Sequence, residues 1–223
     1  MIFLRKNSKI CCFFDIFCNF HKKGENKVAL YFSIIFVCMT LIAGINIAVL
    51  NLPAWQIILL TIGCVLAEIL IDLVFAFLIS RSKSKWFDKN KKIFCVSKKE
   101  HQFYEKLGIK KWKDKVVELG ALNHFRKNKI AEPTNNEYLE KFLIESSKGI
   151  IVHIFCMIMG FLVIFIYPLK YWLNFGLPVA IVNFVLNLLP LLILRYNIPK
   201  LKTMIKFNER HLKNRENDSQ PDC

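Results

Sequence analysis

Charged residues are confined almost wholly to the intervals between four apolar runs. Residues 28–50 carry no charge, and 54–80 carry only Glu68 and Asp72. Residues 149–167 hold His153 as their one basic side chain, and 174–194 are uncharged. A helix crosses a hydrocarbon core of roughly 30 Å with about 20 residues. The pattern therefore predicts an all-α integral membrane protein of four transmembrane helices. A cytoplasmic amphipathic segment separates the second from the third. The chain divides into an interfacial N-terminal segment (1–27) and a first hairpin (28–80, spans 28–50 and 54–80). The cytoplasmic segment (81–148), a second hairpin (149–194, spans 149–167 and 174–194) and a basic tail (195–223) follow.

Breakers and aromatics punctuate this frame. Asn51-Leu52-Pro53 turns the chain between the first two spans, with Trp55 at interfacial depth. Pro168, Gly176 and Pro178 mark the second outer turn. Residues 10–18 (ICCFFDIFC) fit a short helix lying in the inner interface. In 81–148, Trp86, Phe87, Phe94, Phe103, Tyr104 and Trp112 alternate with lysines, a pattern suited to docking at the interface. Residues 136–148 read as a helix with Leu139, Phe142 and Leu143 on its apolar face, running straight into the third span. Pro199 is expected to stop the last helix soon after Arg195, and the polar tail from Asn214 to be disordered.

Charge then gives orientation. Of 32 Lys and Arg, six precede the first span, none lies between the first two and eighteen lie between Arg81 and Lys148. Lys170 alone lies between the last two spans, and seven follow the fourth. Cationic loops stay cytoplasmic, so both termini and the long middle segment are expected inside a bacterial cell membrane. The net charge of +15 is accounted for by orientation and by anionic lipid headgroups, with no nucleic acid as partner. A soluble fold, a secreted disulfide scaffold and a disordered chain are excluded. The eight cysteines give no disulfide framework: Cys38, Cys64 and Cys156 lie in spans and Cys95 in the reducing cytoplasm. Cys11, Cys12, Cys18 and His21 match no zinc template, so no metal and no bound cofactor is expected. The first apolar run lacks a small-residue cleavage site and reads as a span rather than a cleaved signal.

Candidate chemistry lies in the polar residues inside the spans. Glu68 and Asp72 share one face of the second span at i and i+4. Intramembrane carboxylates cost about 2.5 to 3.5 kcal/mol each and face a bundle interior or water. Either they form a relay or a polar wall for a headgroup, or they hydrogen-bond Asn183 and Asn187, also at i and i+4, and hold the bundle together. His153, Glu145, Arg195 and Asn197 are expected to converge at the inner interface, with Asn187 and Asp72 one layer deeper. There His153 could serve as a general base and Arg195 as an anion clamp.

Three segments resemble the glycosyl-4,4'-diaponeurosporenoate acyltransferases, bacterial membrane enzymes of carotenoid synthesis. They are 104–116 (YEKLGIKKWKDKV), 137–153 (EYLEKFLIESSKGIIVH) and 187–201 (NLLPLLILRYNIPKL). The family's Lys-Trp-Lys run is Lys111, Trp112 and Lys113. Its Glu followed eight residues later by a His is Glu145 and His153. Its closing stretch is Asn187, then Arg195, Tyr196, Asn197, Pro199 and Leu201. The sequence departs from the pattern at Ile150, where the family has a second acidic residue, and at Ile198-Pro199-Lys200, where it has Arg-Pro-Arg. The resemblance implies transfer of a fatty acyl group, with acyl-CoA as donor, to a sugar hydroxyl of a glycosylated membrane lipid. His153 and Glu145 are then the catalytic pair. Arg195, Asn197, Asn187, Trp112, Lys111, Lys113 and Asp72 are then substrate-binding. A non-catalytic scaffold or lipid-binding subunit is the alternative, and a small-ion transporter a third.

Overall fold

A computed structural model describes residues 8–87, 91–113, 116, 130 and 132–218, with side chains described between Ala29 and Asn214. Among the described residues there are six α-helices: α1 (Ser8–Val49), α2 (Ala54–Ser80), α3 (Lys98–Lys106), α4 (Ile109–Trp112), α5 (Asn136–Met159) and α6 (Leu177–Asp218). No strand occurs among the described residues. Among the described residues, four helical stretches are long and apolar enough to cross a membrane, at Ala29–Val49, Ala54–Ser80, Asn136–Ile166 and Leu169–Asn214.

The antiparallel pair α5 and α6 forms the centre, and α2 packs against α5. At the end of the bundle bearing Arg81, Lys148 and Arg195, called the basic end below, Leu139, Phe142, Leu143 and Ile150 of α5 meet Leu194, Ile198, Leu201 and Ile205 of α6. The apolar face expected for 136–148 is thus buried, and that helix continues into the span without a break. Asn135 caps its start, accepting from the Tyr138 amide. At the opposite end Ile57, Cys64, Val163, Phe175, Val179 and Ala180 form a second apolar cluster.

The turn between α5 and α6 is tighter than the sequence suggests. α5 gives way to a 3₁₀ stretch at Gly160–Ile166, and Trp172–Gly176 forms a π turn. These two pieces meet at Gly176, where an added Cβ would lie 2.6 Å from the Ile164 Cα. A backbone neighbour cannot yield as a side-chain tip can, so only glycine fits. Asn46 of α1 locks onto this turn, donating to the Asn174 carbonyl at 2.7 Å and accepting from the Asn174 side chain at 3.0 Å.

Four expectations are corrected. Pro199 does not stop the last helix: α6 runs through both Pro190 and Pro199 to Asp218. Its flanking residues Ile198, Leu201 and Ile205 are buried, and this packing outweighs the roughly 3 kcal/mol that an interior proline costs. The tail is helical to Asp218, past the expected order boundary at Asn214. Residues 10–18 belong to α1 itself rather than to a separate helix. Among the aromatics of 81–148, Phe87, Phe94 and Tyr104 are buried in protein contacts, while Trp86 and Phe103 stay exposed.

Candidate active site

Two carboxylates on α2 and two amides on α6 meet within the bundle. Glu68, Asn183 and Asn187 are buried, and Asp72 is half-buried. The Asn183 side-chain NH₂ donates to Glu68 Oε1, to the Cys156 carbonyl at 3.3 Å and, weakly, to Asp72 Oδ1 at 3.4 Å. The Asn187 NH₂ donates to Asp72 Oδ2 at 3.1 Å, to Asn183 Oδ1 at 2.7 Å and to the Asn183 carbonyl at 3.2 Å. Asn187 Oδ1 lies 2.9 Å from His153 Nδ1. The result is a polar ladder, Glu68–Asn183–Asp72–Asn187–His153, climbing from the middle of the bundle toward its basic end. The carboxylate–amide pairing, one of the two readings open for these residues, is present.

Gly160 makes room for the ladder. A Cβ there would collide with Glu68 Oε1 and Asn183 Nδ2. The sequence reading missed this residue, since an interior glycine in an apolar run carries no sign of what faces it. Glu68 Oε2 is buried without a hydrogen bond. Beside it a cleft of about 70 Å³ opens between α1, α2 and α6, walled by Tyr31, Val65, Glu68, Asp72 and Asn183 among others.

The expected convergence of His153, Glu145, Arg195 and Asn197 is not what the helices give. His153 belongs with Asn187 and Asp72, in the layer expected to lie below it. Arg195 is eight residues beyond Asn187 on α6, about 12 Å along the axis, and Glu145 is as far before His153 on the unbroken α5. Arg195 is committed elsewhere: its Nε donates to Glu100 Oε1 at 2.5 Å and to the Tyr104 hydroxyl at 3.2 Å, and Nη1 donates to the Ile93 carbonyl at 2.7 Å. Glu145 pairs with Lys148 at 2.9 Å. Asn197 is half-buried on α6.

Arg195 instead fastens α3 and α4 to the basic end of the bundle. Tyr104 and Ile109 pack on Ile193, with Trp112 and Tyr196 around them. His101 stacks on Tyr196 with ring centroids 5.3 Å apart. The Trp112 indole N–H donates to the Leu107 carbonyl at 3.1 Å. Gly108 turns the chain between the two helices at φ +64°, a left-handed conformation suited to glycine. Lys111 is exposed and Lys113 half-buried on this platform. Burial pushes the Glu100 carboxyl up, but hydrogen bonds from Arg195 and Tyr104, with the Arg195 charge, outweigh it and hold it below its ordinary value. Burial, and then donation to Glu100, push the Tyr104 hydroxyl up to about 12. Glu100 escaped the sequence reading, and Tyr104 entered it as an interfacial aromatic rather than as its partner, although their i and i+4 spacing on a helix was visible.

No group of three or more His, Cys, Asp or Glu side chains that could hold a metal occurs among the described residues. No curated protein and no solved structure matches the chain. Residues 83–207, more than half of the chain, match the family described as glycosyl-4,4'-diaponeurosporenoate acyltransferase. That stretch holds His153, Asn183, Asn187, Arg195 and the α3–α4 platform, while Glu68 and Asp72 come from α2, before it begins. On this match the chain belongs to the glycosyl-4,4'-diaponeurosporenoate acyltransferase family.

Proposed function

We propose that the protein transfers a fatty acyl group from acyl-CoA to a sugar hydroxyl of a glycosylated membrane lipid, a carotenoid glycoside in the sense of the family description, with His153 as general base. The observation that carries the reading is the His153–Asn187 contact inside the segment that matches the family. With Nδ1 protonated and donating to the Asn187 amide oxygen, Nε2 is the ring nitrogen left to take up a proton.

The sugar oxygen attacks the thioester carbonyl while its proton passes to His153 Nε2. The carbon–sulfur bond then breaks, and the same proton leaves His153 for the departing thiolate. The products are the acyl ester and the free thiol of CoA, and the base is regenerated. His153 lies five residues beyond Lys148, about 7 Å into the span from its charged start. That depth suits a sugar held just below the interface with its lipid tail between the helices. Lys111 and Lys113, on the cytoplasmic side by the charge count, would attract the CoA phosphates. Arg195 supports this platform from below, acting on donor binding through α3 and α4.

The test is lipid mass spectrometry of cells with and without the gene, together with turnover by purified protein. An acylated glycolipid that disappears with the gene and reappears with wild-type protein supports transfer. An unchanged lipidome sinks it. The scaffold alternative has one observation in its favour: the ladder ties α2 to α6, as a purely structural network would. It predicts an intact lipidome and a co-purifying partner.

A further inference from the structure

We infer that Asp72 is a positioning residue, fixing which nitrogen of His153 carries the proton by aligning the Asn187 amide. The inference rests on His153 being the base and gives Asp72 a role distinct from contact with substrate.

The logic is one of donors and acceptors. An ionised carboxylate only accepts hydrogen bonds, and a side-chain amide presents one accepting and one donating end. Asp72 Oδ2 faces the Asn187 amide at 3.1 Å, so the end of Asn187 turned toward it must be NH₂. Asn183 reinforces the choice with two more acceptors for that NH₂, its own Oδ1 and its carbonyl. Asn183 is held the same way round because its NH₂ faces the Cys156 carbonyl, which can only accept, together with Glu68 Oε1 and Asp72 Oδ1. Reversing Asn187 would set its oxygen against three acceptors at once. Its oxygen therefore faces His153, and Nδ1 must be the protonated nitrogen in the neutral ring. Asp72 thus sets the tautomer of His153 through one intervening side chain, Asn187. A buried network is worth this fixity only when each member is paired in one sense.

Neither carboxylate lies in the segment that matches the family. The base and its amide partner come from that segment, and the residue that orients them comes from α2. A fragment beginning at residue 83 would keep His153 and Asn187 and lose what holds them in order.

The test uses full-length protein in lipid nanodiscs. Ring ¹⁵N NMR of histidine-labelled protein reads the tautomer, and the His153 signal among the five histidines is assigned by its loss in His153→Gln. Wild type is expected to show Nδ1–H. Asp72→Asn keeps the shape but offers one donor and one acceptor where Asp72 offers two acceptors. It should raise the Nε2–H form and lower kcat by roughly 10²-fold with KM little changed. Adding Asn187→Asp to that variant sets a carboxylate directly beside Nδ1. It should restore the Nδ1–H signal and part of kcat, the remainder lost because Asn183 Oδ1 then faces a carboxylate.

An Nε2–H ring in wild type overturns the inference without any variant, as does an Asp72→Asn protein with unaltered tautomer. A rise in KM alone would mean that Asp72 binds substrate instead. The NMR needs neither donor nor acceptor lipid. Protein with Nδ1–H His153 that cannot acylate defeats the proposed reaction and leaves Asp72 its role, whereas active protein with an Nε2–H ring removes that role and leaves acyl transfer standing without Nε2 as its base.

Discussion

His153 and Gly160 meet the same network from opposite sides, one as the end proposed to react and one as the space it needs. Removing a general base costs on the order of 10² to 10⁴ in rate. His153→Ala is expected to lose activity on that scale, read as turnover by purified protein, with an unchanged elution profile in detergent. Full turnover would remove His153 from the mechanism. Gly160→Ala attacks the ladder without touching a polar atom. The added methyl group must displace the Glu68–Asn183 pair, and overpacking of this kind costs typically about 1 to 3 kcal/mol. A fall in Tm of several degrees with CoA-dependent activity reduced checks it; an unshifted Tm would mean that the helices part freely there. At this scale the sequence offered the pairing of Glu68 and Asp72 with Asn183 and Asn187 as one of two readings, because four polar residues at matching i and i+4 spacing have few partners in a membrane. It could not disclose that His153 joins them. That depends on the register of α5 against α6, which the burial of Leu139, Phe142, Ile150, Leu194 and Ile198 sets together.

Helix ends and docking were less legible than helix interiors. The start of α5 was readable from its apolar face, but the course of α6 was not: Pro199 is a local breaker, and only the buried residues on either side explain why the helix goes on. The platform of α3 and α4 depends on Arg195, whose planar fork reaches Glu100, Tyr104 and the 93–95 backbone at once. Arg195→Lys cannot reproduce such a fork. Hydrogen exchange of residues 98–106 is therefore expected to speed up in Arg195→Lys and more so in Arg195→Ala, while 139–157 remain protected. Equal protection of 98–106 in all three proteins would show the apolar contacts of Tyr104 and Ile109 to be sufficient. The pair also fixes an acid limit. Glu100 titrates lower in the folded protein than its ordinary 4.5, so its contribution to docking is complete above that pH. It fades as pH falls through the lower folded value. Opening of α3 should appear below about pH 4.5 in wild type, and Glu100→Gln should abolish that pH dependence.

The whole molecule is organised by charge before packing. Cationic residues retained on one side of a membrane orient every helix at once, and the eighteen between Arg81 and Lys148 against one, Lys170, between the last two spans predict a single orientation. The basic end, with its ladder outlet and its α3–α4 platform, should therefore face the cytoplasm, where acyl-CoA is found. Cys95 is exposed at that end, and Lys170 is exposed at the other, so the chain supplies its own topology probe. A membrane-impermeant maleimide added to intact cells is expected to leave wild-type protein unlabelled, because Cys38, Cys64 and Cys156 lie in the spans and Cys11, Cys12, Cys18, Cys95 and Cys223 are expected inside. Lys170→Cys should be labelled in the same cells, and Cys95 only after permeabilisation. Labelling of Cys95 in intact cells would put the platform outside, away from acyl-CoA. The donor, and with it the direction from which the thioester meets His153, would then have to be reassigned.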